Sequence, residues 1–502
     1  MTRRADSDIP WALDVSATET RCRNLSGGEW LDPASTARVV VRSPYTGDVI
    51  GTAPLSGRRE IDALVGAARR AAADWRRVPI KERTALLFRF RDLLRDDLEP
   101  LANQVAVESG KTLAEARAGI EKGLEVVEFA LSLQNLELGG ALEVSRGVTC
   151  EARREPAGVV AGITPFNFPA MVPMWMFPIA ITLGNAFILK PSEKVPLTAC
   201  RLGELMLDAG FPPGVFSIVH GGRSAVEALV DHPDVAVLGF VGSTAVARAV
   251  YARAASHGKR ALALGGAKNH LIVVPDADPD VTVDGVVGSF TGCAGQRCMA
   301  ASLLVAVGDV DHLLDRVVER AASLRLGVEM GAIIDRAALE RLEAAIESAR
   351  TDGAELRLDG RRPTAPAGFE GGNWLAPTIL DRATPEHECA TRELFGPVLT
   401  IVRVRSLEEA LALENQSPYG NATSVFTTRG AVARFVAERA TNGMIGVNIG
   451  VPVPREPFSF GGTKASRFGS GDITGRGGVE HWTHLKKITS KWATQPDASW
   501  MS

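Results

Sequence analysis

Two cysteines five residues apart, Cys293 and Cys298 in FTGCAGQRCMA, leave three chemistries open: a nucleophilic thiol, a metal or disulfide pair, or packing at a helix start. A thiol attacks as its thiolate, so a nucleophile needs a cation or a helix N-terminus nearby to depress an ordinary value of about 8.5. Cys298 follows Arg297 and precedes the apolar MAASLLVAV, which suits that role better than Cys293; a buried structural thiol is the alternative. No HExxH and no cluster of Cys and His occurs, so no metal site is expected. Asn167 in ITPFNFP is an amide held between prolines, able either to donate to a developing oxyanion or to close a turn on its own backbone.

Candidate cofactor residues are weaker when taken singly. The GxGxxG fingerprint is absent. In LGFVGSTAVARAV an apolar run ends at Val241, Gly242 and Ser243 make a turn, and a helical pattern follows, whose first N–H groups suit an anion. In ILKPSEKVP, Lys190 and Glu193 follow a buried strand, placed either for ribose hydroxyls or as a solvated loop.

The elements that must carry these residues are legible as periodicity. Residues 60 to 135 read as amphipathic, solvent-facing helices, with apolar residues recurring at three and four. After Arg154 come short apolar runs closed by turn residues, GVVAGITPFNFP, NAFILKPS, GVFSIVHGG and VAVLGFVGST, with helical segments such as SAVEALVDH between them. A second alternating region runs from HLIVV through SLLVAVG and PVLTIVRV to about residue 450. Strands alternating with helices predict two α/β domains with parallel, doubly wound sheets. The tail VEHWTHLKKITSKWATQP alternates as a strand and, with EVSRGVTCEARREP, predicts a small sheet whose exposed edge suits a neighbouring subunit, or two ordinary edge hairpins.

A chain of 502 residues with 45% hydrophobic content can bury a large core. Its net charge of −3 gives no basic excess for nucleic acid or anionic lipid, so a small-molecule substrate is expected. Six cysteines without CxxC spacing suit a reducing compartment, and MTRRADSDIPWALDVSATET lacks the apolar stretch of a secretory signal; a cytoplasmic protein is expected. The apolar AMVPMWMFPIAITLGNAFIL is broken by prolines and a Gly-Asn pair, which predicts a buried helix running into a buried strand rather than a membrane span.

Taken jointly, PFNFP, LKPSE, FVGST, LGG, GQRC, ELFGPV and FGG, in that order, resemble the aldehyde dehydrogenase superfamily over residues from about 40 to 490. The resemblance implies that Cys298 attacks an aldehyde, that Asn167 and the Cys298 backbone N–H hold the oxyanion, and that hydride passes to NAD, leaving a thioester on Cys298. It implies cofactor contacts at Thr164, Phe166, Lys190, Glu193, Gly242, Ser243, Gly266, Glu393 and Phe395, with the Glu193 carboxylate favouring NAD over a 2′-phosphate. It implies an aldehyde dehydrogenase-like α/β fold: a Rossmann-type NAD-binding domain of residues 1–134 and 154–264, a catalytic domain of 265–470, and an oligomerisation β-arm of 135–153 and 471–502. A homodimer or homotetramer follows from the same likeness.

Two departures narrow the reading. Hydrolytic members carry a water-activating glutamate before LGG, where this chain has Ala263, and a lysine beside Trp175, where it has Met176. An acyl-enzyme without a base for water calls for a stronger nucleophile, such as the thiol of coenzyme A. Longer runs, among them GGAKNHLIVVPDAD, AGQRCMA and IGVNIGVPVP, resemble the CoA-acylating methylmalonate-semialdehyde dehydrogenase branch. That likeness implies substrate contacts at Arg297, Phe460 and Lys122; lysine at the last position keeps charge but loses the guanidinium fork. The expected reaction is NAD-dependent, CoA-acylating oxidation of methylmalonate or malonate semialdehyde, with a hydrolytic NAD(P)-dependent enzyme for another short acidic aldehyde as the alternative.

Overall fold

The computed structural model describes residues 19–136 and 138–492, so the first eighteen residues, including most of the stretch read above for a secretory signal, and the last ten lie outside it. Two large sheets organise the rest. The first has eight strands in the order Arg467–Phe468, Arg260–Leu264, Val235–Val241, Val159–Ile163, Ala186–Lys190, Phe216–Ile218, Asn24–Ser26 and Glu29–Leu31. From Arg260–Leu264 to Phe216–Ile218 the strands are parallel, with antiparallel strands at both edges. The second has seven, Glu355–Leu358, Thr378–Asp381, Val398–Val404, Ala301–Val307, Asn269–Val273, Ala422–Phe426 and Met444–Val447, all parallel except the first.

Strands such as VVAGI, AFILK and ASLLVAV are buried at every residue because helices cover both faces, which is why they read as unbroken apolar runs. One face of the first sheet shares a core with helices Ile80–Asp96, Leu113–Ser132 and Met171–Thr182; the other shares a core with Arg58–Trp75, Arg223–Asp231 and Thr244–Ser256. Chain order reverses between Val159–Ile163 and its neighbour Val235–Val241, and the crevice beyond the carboxyl ends of strands at such a reversal is where open α/β sheets bind ligands. Thr164 to Asn167 leave the end of the first of these strands, and Gly242 and Ser243 the end of the second.

The segment 170–189 is the buried helix Met171–Thr182 followed by the buried strand Ala186–Lys190. Among the described residues no helix is long and apolar enough to cross a membrane. The region 60–135 forms four helices, but Leu98–Ser109 is not solvent-facing: Leu101, Ala102 and every residue from Val105 to Ser109 are buried. The cause is long-range. Buried Glu108 accepts N–H bonds from Leu197 and Thr198, both at 2.9 Å, and so terminates the start of helix Pro196–Asp208. Gly139–Ser145, Val148–Pro156 and Thr483–Lys491 form a separate antiparallel sheet, with Gly475–His481 as a helix leading into it.

Candidate active site

A cavity of about 970 Å³ opens at the reversal point of the first sheet and runs to Cys298. Its wall includes Thr164, Phe166, Asn167, Lys190, Glu193, Gly242, Ser243, Gly266, Cys298, Glu393 and Phe395, eleven of the residues singled out from the sequence. Lys122, Arg297 and Phe460 are not on that wall.

Cys298 reaches the cavity through an unusual approach. Cys293, Ala294 and Gly295 all have left-handed φ, 52°, 51° and 67°, so the chain coils tightly before Gln296. Gly295 tolerates no side chain: a Cβ there would lie 2.1 Å from the Gly396 carbonyl oxygen. This close approach brings the turn against the segment that carries Glu393 and Phe395. The Gln296 side chain ties the turn to residues 332–334, accepting from Ile334 N at 3.0 Å and donating to Ala332 O at 3.1 Å. Beyond it, the Cys298 carbonyl is held by two amides, Asn269 Nδ2 and Asn421 Nδ2, each at 2.9 Å. Neither asparagine was legible as a site residue, because the partners lie 29 and 123 positions away in the chain.

Asn167 donates one Nδ2 hydrogen to Gln296 O at 2.9 Å. An amide nitrogen carries two hydrogens, so this bond orients the group and leaves the second for an oxyanion beside Cys298. Burial, followed by the charge of Glu393, pushes the Cys298 thiol up to about 12. No histidine lines the cavity, so the resting thiol has no imidazole base there.

The far part of the cavity fits a nucleotide. Ser243 starts helix Thr244–Ser256 without capping it through its side chain, and Thr244, Ala245 and Val246 line the wall, so first-turn N–H groups are available to phosphate. Val226, Val230, Val246 and Ala249 form an apolar side suited to a flat ring. Lys190 Nζ lies 3.2 Å from Glu193 Oε2. Burial works against the Glu193 carboxylate, but the Lys190 charge and hydrogen bonds prevail and hold it below the usual range. Phe166 and Phe395 meet edge to face at 5.8 Å.

Glu393 Oε1 accepts the Ala267 N–H at 3.0 Å. Burial pushes its carboxyl up to about 7 against the pull of that N–H, Lys268 and Arg341. Lys268 is itself fully buried, donates to Cys389 O at 2.7 Å and is pushed down to about 8 by burial.

The geometry adds detail at three positions singled out from the sequence. Ala263 is fully buried in the core with Ile163 and Phe240, whereas Cys298 packs against the core on the opposite face of the sheet, together with Leu264. Neither Ala263 nor Leu264 carries a titratable group, and the wall of the cavity continues from their strand at Gly265 and Gly266. Met176 is not a cavity residue either: its sulfur lies against Gly162 and Gly239 of the sheet. Cys293 is the centre of a buried polar cluster away from the cavity. Its sulfur accepts from Lys111 Nζ at 2.6 Å and Arg297 Nε at 3.3 Å, and its N–H donates to Glu115 Oε1 at 2.5 Å.

The remaining substrate candidates have partners of their own. Arg297 lies against the α-carbon of Gly292, where a Cβ would fall 1.5 Å from Nη2, and pairs with Glu115 at 3.6 Å. Lys122 is clamped between Glu125 at 2.8 Å and Glu456 at 2.9 Å. Phe460 is buried against Trp175, ring centroids 4.6 Å apart.

Residues 30–488 match the model of the aldehyde dehydrogenase family. The chain is 44% identical to malonate-semialdehyde dehydrogenase 3 of Geobacillus kaustophilus (strain HTA426), covering 95% of this chain and 100% of that one. It is 43% identical to the mitochondrial acylating methylmalonate-semialdehyde dehydrogenase of Arabidopsis thaliana, covering 95% of this chain and 79% of that one. Among solved structures, an NAD complex of a Sinorhizobium meliloti 1021 protein described as a methylmalonate-semialdehyde dehydrogenase superposes with a TM-score of 0.94 at 40% identity, covering 96% of this chain and 100% of that one.

Proposed function

The chain belongs to the aldehyde dehydrogenase family, and on that premise we propose that it oxidises malonate or methylmalonate semialdehyde with NAD and coenzyme A, giving acetyl-CoA or propionyl-CoA, CO2 and NADH. The observation that carries the acylating choice is Ala263, a buried apolar residue at the position before LGG from which hydrolytic relatives activate water with a glutamate. Relatives named as malonate- and methylmalonate-semialdehyde dehydrogenases support the substrate.

In this reading Cys298 Sγ attacks the aldehyde carbon, and the oxyanion that forms is held by the free Nδ2 hydrogen of Asn167 and the Cys298 N–H. Bound NAD supplies the hydride acceptor. Lys190 and Glu193 hold its adenosine ribose, the start of helix Thr244–Ser256 its pyrophosphate, and Glu393 its nicotinamide ribose. The malonyl or methylmalonyl thioester left on Cys298 loses its carboxylate as CO2, the α-carbon taking up a proton, and the acetyl or propionyl group that remains passes to the coenzyme A sulfur. The family resemblance assigns the substrate carboxylate to Arg297, next to the nucleophile in sequence, which must then exchange its contacts with Glu115 and Cys293 for the substrate; the Lys122 charge is matched by two carboxylates, Glu125 and Glu456. The exposed edge strand Gly139–Ser145 suits assembly with a second copy of the chain.

NADH formation from malonate semialdehyde is expected to require coenzyme A for sustained turnover, with acetyl-CoA identified by mass; equal rates to a free acid without coenzyme A would refute the acylating assignment. Arg297→Leu is expected to raise KM for malonate semialdehyde by about 10-fold or more, the scale of one lost charge-assisted hydrogen bond. Propanal, which has no carboxylate, serves as the control substrate, and its KM should move by less than about 3-fold.

A further inference from the structure

Transfer of an acyl group from Cys298 to another thiol moves a proton as well as an acyl group. The incoming sulfur must lose a proton to attack. The outgoing sulfur belongs to a thiol held so far above its usual range that it leaves poorly unless a proton reaches it. Some group on the cavity wall therefore has to take the first proton and return it.

The wall offers few candidates. Glu193 is paired with Lys190, and Glu227 with Arg223 and Arg253. Lys194 is paired with Asp335, and burial raises Tyr419 above its ordinary range. Glu393 differs from all of these. It lines the same cavity as Cys298, its charge acts on the Cys298 thiol, and among the described residues the one hydrogen bond it receives, from Ala267 N, falls on Oε1, while Oε2 lies against the Gly266 α-carbon. The groups that face it are Ala267 N–H and Lys268 from the loop after strand Arg260–Leu264, Arg341 from helix Arg336–Thr351, Cys298, and Tyr419.

We propose that Glu393 is the proton carrier of the acyl-transfer half-reaction, a role that rests on the reading of coenzyme A as acyl acceptor. Its carboxylate takes the thiol proton of coenzyme A as that sulfur bonds to the thioester carbonyl carbon. When the bond from that carbon to Cys298 Sγ breaks, the carboxylic acid returns the proton to the Cys298 sulfur, so the enzyme ends as it began and no oxidant or reductant is consumed. Lys268 and Arg341 restrain Glu393 from becoming a permanent carboxylic acid despite its burial. Because Glu393 in the folded enzyme titrates at about 7, its carboxylate fraction, and with it the transfer rate, rises as pH passes upward through that value.

The test is run without NAD, so that any ribose-holding role of Glu393 drops out. Cys298 is acylated with 4-nitrophenyl acetate, the nitrophenolate burst counting competent sites, and thiolysis of the acetyl-enzyme by coenzyme A is followed between pH 5.5 and 9.5. Glu393→Gln is expected to be at least about 100-fold slower than the parent at pH 7. The deficit should shrink to less than about 5-fold at the alkaline end, where coenzyme A ionises without help. Glu393→Asp, which keeps a carboxylate, should fall between the two with a rising pH profile of its own. A deficit independent of pH, or none at all, overturns the proposal. If the parent acetyl-enzyme is released no faster by coenzyme A than by water, it is the acylating function that fails, and that outcome is distinct.

Discussion

Cys298→Ala is expected to lower NADH formation by about four orders of magnitude or more while the nucleotide still binds. The expectation follows from covalency. Hydride transfer in this scheme departs from a tetrahedral carbon bonded to sulfur, and an alanine methyl group cannot form that bond, so the whole route is removed rather than slowed. The fold has little reason to change, since the site is placed by backbone contacts that alanine keeps: Asn269 and Asn421 both bind the residue 298 carbonyl, and the Gln296 side chain ties the preceding turn. Nucleotide affinity, measured by calorimetry, should stay within about 3-fold, because the anion-binding helix start and the Lys190–Glu193 pair lie elsewhere on the cavity wall. Activity above about 1% of the parent in a preparation free of it would mean that Cys298 is not the nucleophile.

Both sheets were legible because parallel strands covered on both faces leave unbroken apolar runs such as AFILK and ASLLVAV, and the helices between them leave a three-to-four period. What the sequence did not reveal depends on distance along the chain and on local backbone conformation. Ala263 and Leu264, successive residues of strand Arg260–Leu264, are buried on opposite faces of the sheet, and neither has a titratable side chain. The spacing of Cys293 and Cys298 does not show where Cys293 lies: three successive left-handed residues turn the chain there and put its sulfur between Lys111 and Arg297. The resemblance implies that Lys122 contacts the substrate, and the sequence hides its partner because Glu456, which pairs with it, is 334 positions away.

Asn167→Ala is expected to cost about 10²–10³ in kcat, roughly 3 to 4 kcal/mol of transition-state stabilisation, with a much smaller change in KM. The asymmetry between the two constants is the informative part. A ground-state aldehyde oxygen carries only a partial charge, whereas the tetrahedral oxyanion carries a full one, so a preorganised donor acts chiefly on the barrier. The Gln296 carbonyl keeps the Asn167 amide in place beforehand, using one hydrogen and leaving the other, so no reorganisation is needed when charge develops. Alanine removes both hydrogens, and Gln296 O then loses a partner inside a buried turn, which should destabilise the fold by about 1 kcal/mol. Asn167→Asp separates the two effects. It keeps the volume but sets a negative charge beside the oxyanion, and its kcat should fall at least as far as that of the alanine variant. Alkylation of Cys298 by iodoacetamide, which forms no oxyanion, should proceed at a similar rate in the parent and Asn167→Ala. A fall in alkylation matching the fall in kcat would show instead that Asn167 acts by placing the sulfur.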